Sequence, residues 1–537
     1  MVNKYTYYLS VLLLSLPLVA QATDRAALTS EQLRLTLSSR LAHCSATTSL
    51  DNNARQRLID FYLLRDGQPA WHSAAQLHQL REQIAQLADD GLQPLEYPLA
   101  ELTPHEPEAP LSCADLLTSH SYLQALHHLR HGRLPQQRLE PVWRADEEPS
   151  EHTNNLLSTA LYHLATPAQA FANARPATPQ YQRLRQAYAE QRRQPLASWP
   201  QLPAGRLLKP DQADQRLPIL RVRLEAEGYL PTPMADLGER YDPATVEALQ
   251  AFQADHGLQP DGILGPASLD ALNLDAQRRR EQLRANLERL RWLADDMRHS
   301  EVLINVAAAE LLVMRQGQAL WRSRTQVGRP DRKTPLLASQ INRLTLNPTW
   351  TVPPTILRED KLPAIREDLD YLQRQQMSVL DRDGNPLDPQ SLDWDNPGPI
   401  LLRQAAGPQN PLGRVALRFA NPFFVYLHDT PSQRLFDKAP RAFSSGCVRV
   451  QGVDTLLAWL LSADELAQVQ QRIASGNTQE YRLQRPAPLL IAYWTVEAGR
   501  DGKLRYAPDP YNWDERLIKA LPTMAALESA AATAQPL

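Results

Sequence analysis

Apolar residues recur three and four positions apart through the first third of the chain. Leu58-Ile59-Phe61-Tyr62-Leu63-Leu64, Leu77-Leu80-Ile84-Leu87 and Leu123-Leu126-Leu129 keep polar residues between them, the spacing of one helix face, and Gly67, Gly91 and Gly132 stand where such helices would end. A proline-rich polar stretch (Pro195, Pro200, Pro203, Pro210, Pro218) interrupts the pattern and marks a boundary. Three short helices are expected next: Leu220-Leu224 running to Gly228, then a start at Asp242-Pro243 with Val246, Leu249 and Phe252 on one face and Gly257 at its end, then Leu269 and Leu272 after the Asp261-Gly262 and Gly265-Pro266 turns. An Arg/Leu/Glu helix bridges to a region where the period changes to that of strands. Val302–Val306 and Leu311–Met314 lead through a Gln316-Gly317 turn into Ala319–Val327, a hairpin pattern. Ten prolines then punctuate residues 347–413, and strands return at Val415–Phe419 and Phe423–Leu427. Asp454 opens a helix, Ser462 with Glu465 forms a capping box for another, and Leu489–Trp494 reads as a late buried strand.

At 537 residues the chain exceeds what one core supports, and 43% hydrophobic with 22% charged residues is globular composition. A net charge of −3 gives no electrostatic case for nucleic acid, and Gln277-Arg278-Arg279-Arg280, followed by acidic residues, reads as a solvated helix face. His127 and His131 lie four apart on a predicted helix but have no third ligand motif nearby, so no metal site is expected. Lys4, the apolar run from Tyr8 to Val19 and the small residues of Ala20-Gln21-Ala22 form an export signal cut after Ala22, with an uncleaved anchor as the alternative. In the oxidising compartment that export implies, Cys44 and Cys113 can pair, leaving Cys447 as the odd free thiol.

Cys447 carries the candidate chemistry. It sits in Phe443-Ser444-Ser445-Gly446-Cys447-Val448-Arg449-Val450, 19 positions after His428, which ends the aromatic run Phe423–Leu427. A thiol attacks a carbonyl as its thiolate, so it needs a base in reach or positive charge nearby. His428 can be the base, and Arg449 brings positive charge or pins the loop. Backbone N–H groups around Gly446 and Cys447 can face the oxyanion. Tyr426, Ser444, Ser445 and Asp429 flank the pair and are candidate substrate contacts. Alternatives are a non-catalytic wall-binding scaffold, for which the thiol would be dispensable, and a general cysteine protease.

At these residues the chain resembles the L,D-transpeptidases of bacterial cell walls, with their YkuD-type catalytic domain. Ser445 stands where many members have histidine, and Asp429 where Gly or Ser often follows the catalytic His; both departures look like the larger YcbB-like branch. The segments Phe61–Leu64 through Trp71 and Asp90–Pro94 resemble that branch's N-terminal domain, and residues 217–275 resemble a peptidoglycan-binding module. The resemblance implies a multidomain α+β protein: signal 1–22, helical scaffold 23–200, three-helix peptidoglycan-binding-like domain 208–275, linker helix 276–299, β-rich catalytic domain 300–500 with an inserted lid at 345–413, and an extension 501–537. It further implies a periplasmic enzyme, without metal or organic cofactor. The enzyme would act on peptidoglycan stem peptides, a tetrapeptide donor and a diamino acid acceptor, to form 3→3 cross-links with release of D-alanine. Acylation by carbapenems and contact with other cell-wall synthesis proteins are also implied. The same acyl-enzyme given to water, or to a protein amine, would make an L,D-carboxypeptidase or a protein-anchoring transferase.

Overall fold

The computed structural model describes residues 29–44, 50–100, 111–145, 152–231 and 238–522. The expected export segment 1–22 and the tail after 522 lie outside them. No helix among the described residues is long and apolar enough to cross a membrane.

The N-terminal helices, including Asn52–Leu63, Ala74–Gln86 and Cys113–His131, enclose a core of their own. Its polar centre is Asp115, fully buried, whose carboxylate accepts hydrogen bonds from Tyr62 Oη and from the Ala70 and Trp71 amides, while Trp71 Nε1 donates to Ser119. One buried carboxylate thus holds the loop between two helices against a third, each acceptor satisfied as burial requires. A Cys44–Cys113 disulfide ties the end of helix Ser30–His43 to this core.

The scaffold then enters the C-terminal sheet. Strand β1 (Trp143–Arg144) pairs in parallel with a strand of the catalytic region, Trp143 beside Leu337. The later strands are β2 (Val302–Asn305), β3 (Glu310–Arg315), β4 (Gln318–Gly328), β5 (Leu337–Leu346), β6 (Trp350–Thr351), β7 (Met377–Leu380), β8 (Leu401–Gln404), β9 (Val415–Phe419), β10 (Leu427–His428), β11 (Ala442–Ser444), β12 (Val448–Val450), β13 (Gln479–Ala492), β14 (Val496–Ala498) and β15 (Leu504–Tyr506). The order β5-β13-β2-β3-β4-β12-β10-β9 returns to β5 through the β5–β9 pairing, so these eight strands close into a barrel, with β1 added beside β5 and β11 beside β4.

Residues 217–272 form three helices, Leu217–Ala226, Pro243–Asp255 and Pro266–Leu272, around a separate core. Asp242 caps the second by accepting from Thr245 N, as Asp-Pro at a helix start predicts. The unit docks on the C-terminal domain at two places: His256 stacks between Phe252 and Tyr506, and Gln259 accepts a bond from Ala439 N, in the loop after His428. The helix Ala276–His299 runs through the middle of the molecule rather than across its surface. Arg279, expected at a solvated face, is buried, as are Arg284, Arg289 and Arg291, because scaffold, barrel and C-terminal helix all pack around it. The expected class, a multidomain α+β chain with helical scaffold, three-helix unit and β-rich C-terminal domain, describes this architecture.

Candidate active site

Strands β10 and β12 run side by side in parallel, with Leu427 beside Val448 and His428 beside Arg449. Side chains alternate along a strand, so Tyr426 and His428 share a face with Cys447 and Arg449. Cys447 is half-buried and is the free cysteine; His428 is 3% exposed.

The His428 ring is anchored by backbone carbonyls. Its Nδ1 lies 2.5 Å from the Asp429 carbonyl, and a backbone hydrogen bond with Pro411 also holds the ring. Burial, reinforced by the Arg449 charge, pushes the imidazole down to about 3, so the ring is neutral at working pH. Burial pushes the Cys447 thiol up. Hydrogen bonds from Tyr426, through its backbone and its hydroxyl, and the charges of Arg418 and Arg449 oppose that rise. Tyr426 is itself set by Arg418, whose guanidinium lies 4.0 Å over its ring, and its centroid is 5.6 Å from that of His428.

The nucleophile loop is braced from below. Ser444 Oγ donates to the Cys447 carbonyl at 2.5 Å and accepts from Gly446 N at 3.1 Å. Thr334 Oγ1 donates to the Gly446 carbonyl at 2.9 Å and accepts from Gly328 N at 2.8 Å. Gly446 has φ +116°, a conformation that L side chains rarely adopt. At Gly328 a Cβ would lie 2.2 Å from the Arg332 carbonyl, so no larger residue fits under the loop. The Gly446 N–H is thus engaged by Ser444 within the loop.

The predicted site residues therefore separate by position. Cys447, His428, Tyr426 and Arg449 come together on one face. Ser444 is buried beneath the loop. Ser445 is exposed, and its Oγ accepts from Arg332 at 3.0 Å. Asp429 points away, with Oδ2 accepting from Arg414 N at 3.0 Å. Arg449 Nη1 donates to Gln326 at 2.9 Å, while its buried Nε has no partner among the described residues.

Residues 350–404 carry the sheet β6-β8-β7 and their own small core, Trp350, Ile365, Leu372, Met377, Val379 and Leu402, against which Tyr426 also packs. Arg332 ties this subdomain to the nucleophile loop: besides Ser445 it holds Glu359 at 2.6 Å and Asp360 at 2.7 Å. The hydrogen bonds to Arg332 hold the Asp360 carboxyl low, and those from Arg358 and Arg332 do the same for Glu359. Arg332 and Arg418 were not singled out from sequence.

The expected strand Phe423–Leu427 is not formed. Only Leu427 and His428 pair; Asn421–Val425 make a turn in which Asn421 Oδ1 accepts from Phe423 N and Val425 N, and Phe424 takes φ +57°. A local Asn side chain outcompetes the apolar run for the backbone here.

Comparisons with known proteins follow the same division. Residues 56–187 match the profile described as "Scaffold domain", 214–272 "Putative peptidoglycan binding domain", and 299–470 "L,D-transpeptidase catalytic domain". A Haemophilus influenzae protein described as "Putative L,D-transpeptidase" is 34% identical over 242 residues, 44% of this chain. The match spans about half of that relative, 49% of its length. A crystal structure of an L,D-transpeptidase from Xylanimonas cellulosilytica covers 54% of this chain and 98% of its own at 16% identity, with a TM-score of 0.17.

Proposed function

From a chain that carries an L,D-transpeptidase catalytic domain over residues 299–470, we propose a peptidoglycan L,D-transpeptidase that works through a Cys447 thioester. The observation that carries this reading is the neutral, oriented His428 on the same sheet face as the free thiol of Cys447.

In the first step the neutral imidazole of His428 takes the thiol proton as Sγ attacks the carbonyl of the third, diamino acid residue of a tetrapeptide stem. The carbonyl carbon gains the C–S bond, the C–N bond to the terminal D-alanine breaks, and the proton goes to the departing amine. Tyr426, Arg418 and Arg449 stabilise the negative sulfur, and the Cys447 N–H is assigned to the oxyanion. In the second step a side-chain amine of another stem attacks the thioester, His428 removes its proton, and the thiol returns, leaving a 3→3 cross-link. The same thiol is the site where a carbapenem would acylate. The inserted residues 345–413, held to the Cys447 loop through the Arg332 bonds to Glu359 and Asp360, serve as the lid over the site.

The reading places the protein outside the cytoplasm, where its substrate lies and where the Cys44–Cys113 disulfide persists. The test is muropeptide analysis after incubation with disaccharide-tetrapeptides. The proposal expects 3→3 dimers and free D-alanine from the wild type and neither from Cys447→Ala. Tripeptides without dimers would indicate a carboxypeptidase, and unchanged substrate would reject both.

A further inference from the structure

The turn that replaces the expected strand beside the nucleophile presents two phenylalanines to solvent. Phe423 is 45% exposed and Phe424 87% exposed, and Phe424 sits at φ +57°, a left-handed conformation unfavourable for an aromatic residue. The turn is held in place: Asn421 Oδ1 accepts from Phe423 N at 3.0 Å and Val425 N at 3.1 Å, and its Nδ2 donates to Phe419 O at 3.1 Å and Val425 O at 2.9 Å. An exposed ring kept on a strained backbone by four bonds from one side chain adds nothing to the core, and such strain gathers at sites of function.

Its location is specific. Val425 Cγ1 lies 3.7 Å from where a Cβ of Gly446 would stand, and the next residue, Tyr426, donates to the Cys447 sulfur. Behind it, Trp143 of β1 meets Phe423 edge-on with centroids 6.3 Å apart, so the scaffold contributes one wall.

We infer that Phe423 and Phe424, backed by Trp143, form a platform at the mouth of the active site for a sugar ring of the glycan strand bearing the reacting stem. This rests on the transpeptidase reading and adds a second point of recognition to it. A pyranose presents flat C–H faces that stack on aromatic rings while its hydroxyls stay in water, which suits half-open rings without charge. The reach also fits. The attacked carbonyl belongs to the third stem residue, and three extended residues span about 10 Å, so a sugar at the head of the stem stays in the neighbourhood of Cys447 and the turn that adjoins Gly446.

The experiment compares kcat and KM on a disaccharide-tetrapeptide and on the same tetrapeptide without sugar, for wild type, Phe424→Gly and Phe424→Tyr. Glycine removes both ring and strain, so its melting temperature should equal or exceed that of wild type. The platform predicts that Phe424→Gly raises KM for the disaccharide-tetrapeptide roughly three- to tenfold, the loss expected for one aromatic stacking contact. Turnover of the sugar-free peptide should be unchanged, and Phe424→Tyr should behave as wild type. An equal loss on both substrates, no loss on either, or a loss only of binding to anionic phospholipid vesicles would overturn it. A wild type inactive on both substrates would instead refute the transpeptidase reading itself.

Discussion

Replacing Arg289 with methionine should unfasten the three parts of the molecule at one point. The guanidinium is fully buried and binds Glu140, within the scaffold, at 2.8 and 3.0 Å. It also binds Asp514, in the C-terminal helix Trp513–Ala520. Glu140 is 4% exposed and Asp514 6%, so the substitution leaves two carboxylates in the interior without their cation. Removing one partner of a buried pair costs about 3–5 kcal/mol, mostly the uncompensated charge left behind. The pH dependence identifies the cause. Burial already holds the Glu140 carboxyl above its usual range despite Arg289. A carboxyl raised in the folded state binds its proton more readily there than in the unfolded chain, so its contribution is favourable at low pH and is lost as pH rises through the folded value. Without Arg289 burial acts unopposed and the rise grows. Urea unfolding at pH 7.5 should therefore show the full deficit, titration toward pH 5 should shrink it, and Glu140→Gln in the same background should recover part. A deficit below about 1 kcal/mol, or one flat across this range, would refute the reasoning.

Three further outcomes can be checked on the folded protein. With His428 near 3, the acylation rate should show no inflection around the ordinary imidazole value of about 6.5 and should keep rising toward alkaline pH as the raised Cys447 thiol ionises. A stopped-flow profile from pH 5 to 9 with a step near 6.5 would contradict this. His428→Ala should slow acylation by about 10²–10⁴-fold with little change in melting temperature, and a loss under tenfold would assign the base elsewhere. Arg332→Ala should free the lid: Glu359 and Asp360 are exposed and solvent screens the pair, so the latch is modest, roughly a few-fold in opening. Limited proteolysis within 357–361 should accelerate by that factor and high salt should reproduce it in the wild type; equal cleavage rates would remove the latch.

The sequence was legible where local chemistry decides. The hairpin at Gln316-Gly317, the Asp242-Pro243 helix start and the Ser462/Glu465 capping box all appear as read, because each depends on residues a few positions apart. Cys447 and His428 stood out by residue type and position. Long-range burial was not legible: the arginines of Ala276–His299 look like a solvent face until Glu140, Asp90 and Asp514 arrive from distant segments. Phe423–Leu427 looks like a core strand because its apolar run gives no hint that Asn421 will claim the backbone. Nor could spacing show that Ser444 and Asp429 brace backbone while Arg332 and Arg418 approach the nucleophile loop from elsewhere in the chain.

The central claim is a covalent intermediate on one sulfur. Intact-mass spectrometry of the protein quenched during turnover of a tetrapeptide stem, followed by peptide mapping, tests it most directly. The account predicts an adduct of the stem lacking its terminal D-alanine, attached at Cys447 and absent from Cys447→Ser. Turnover by the Cys447→Ser protein, or an adduct mapped to any other residue, would contradict it.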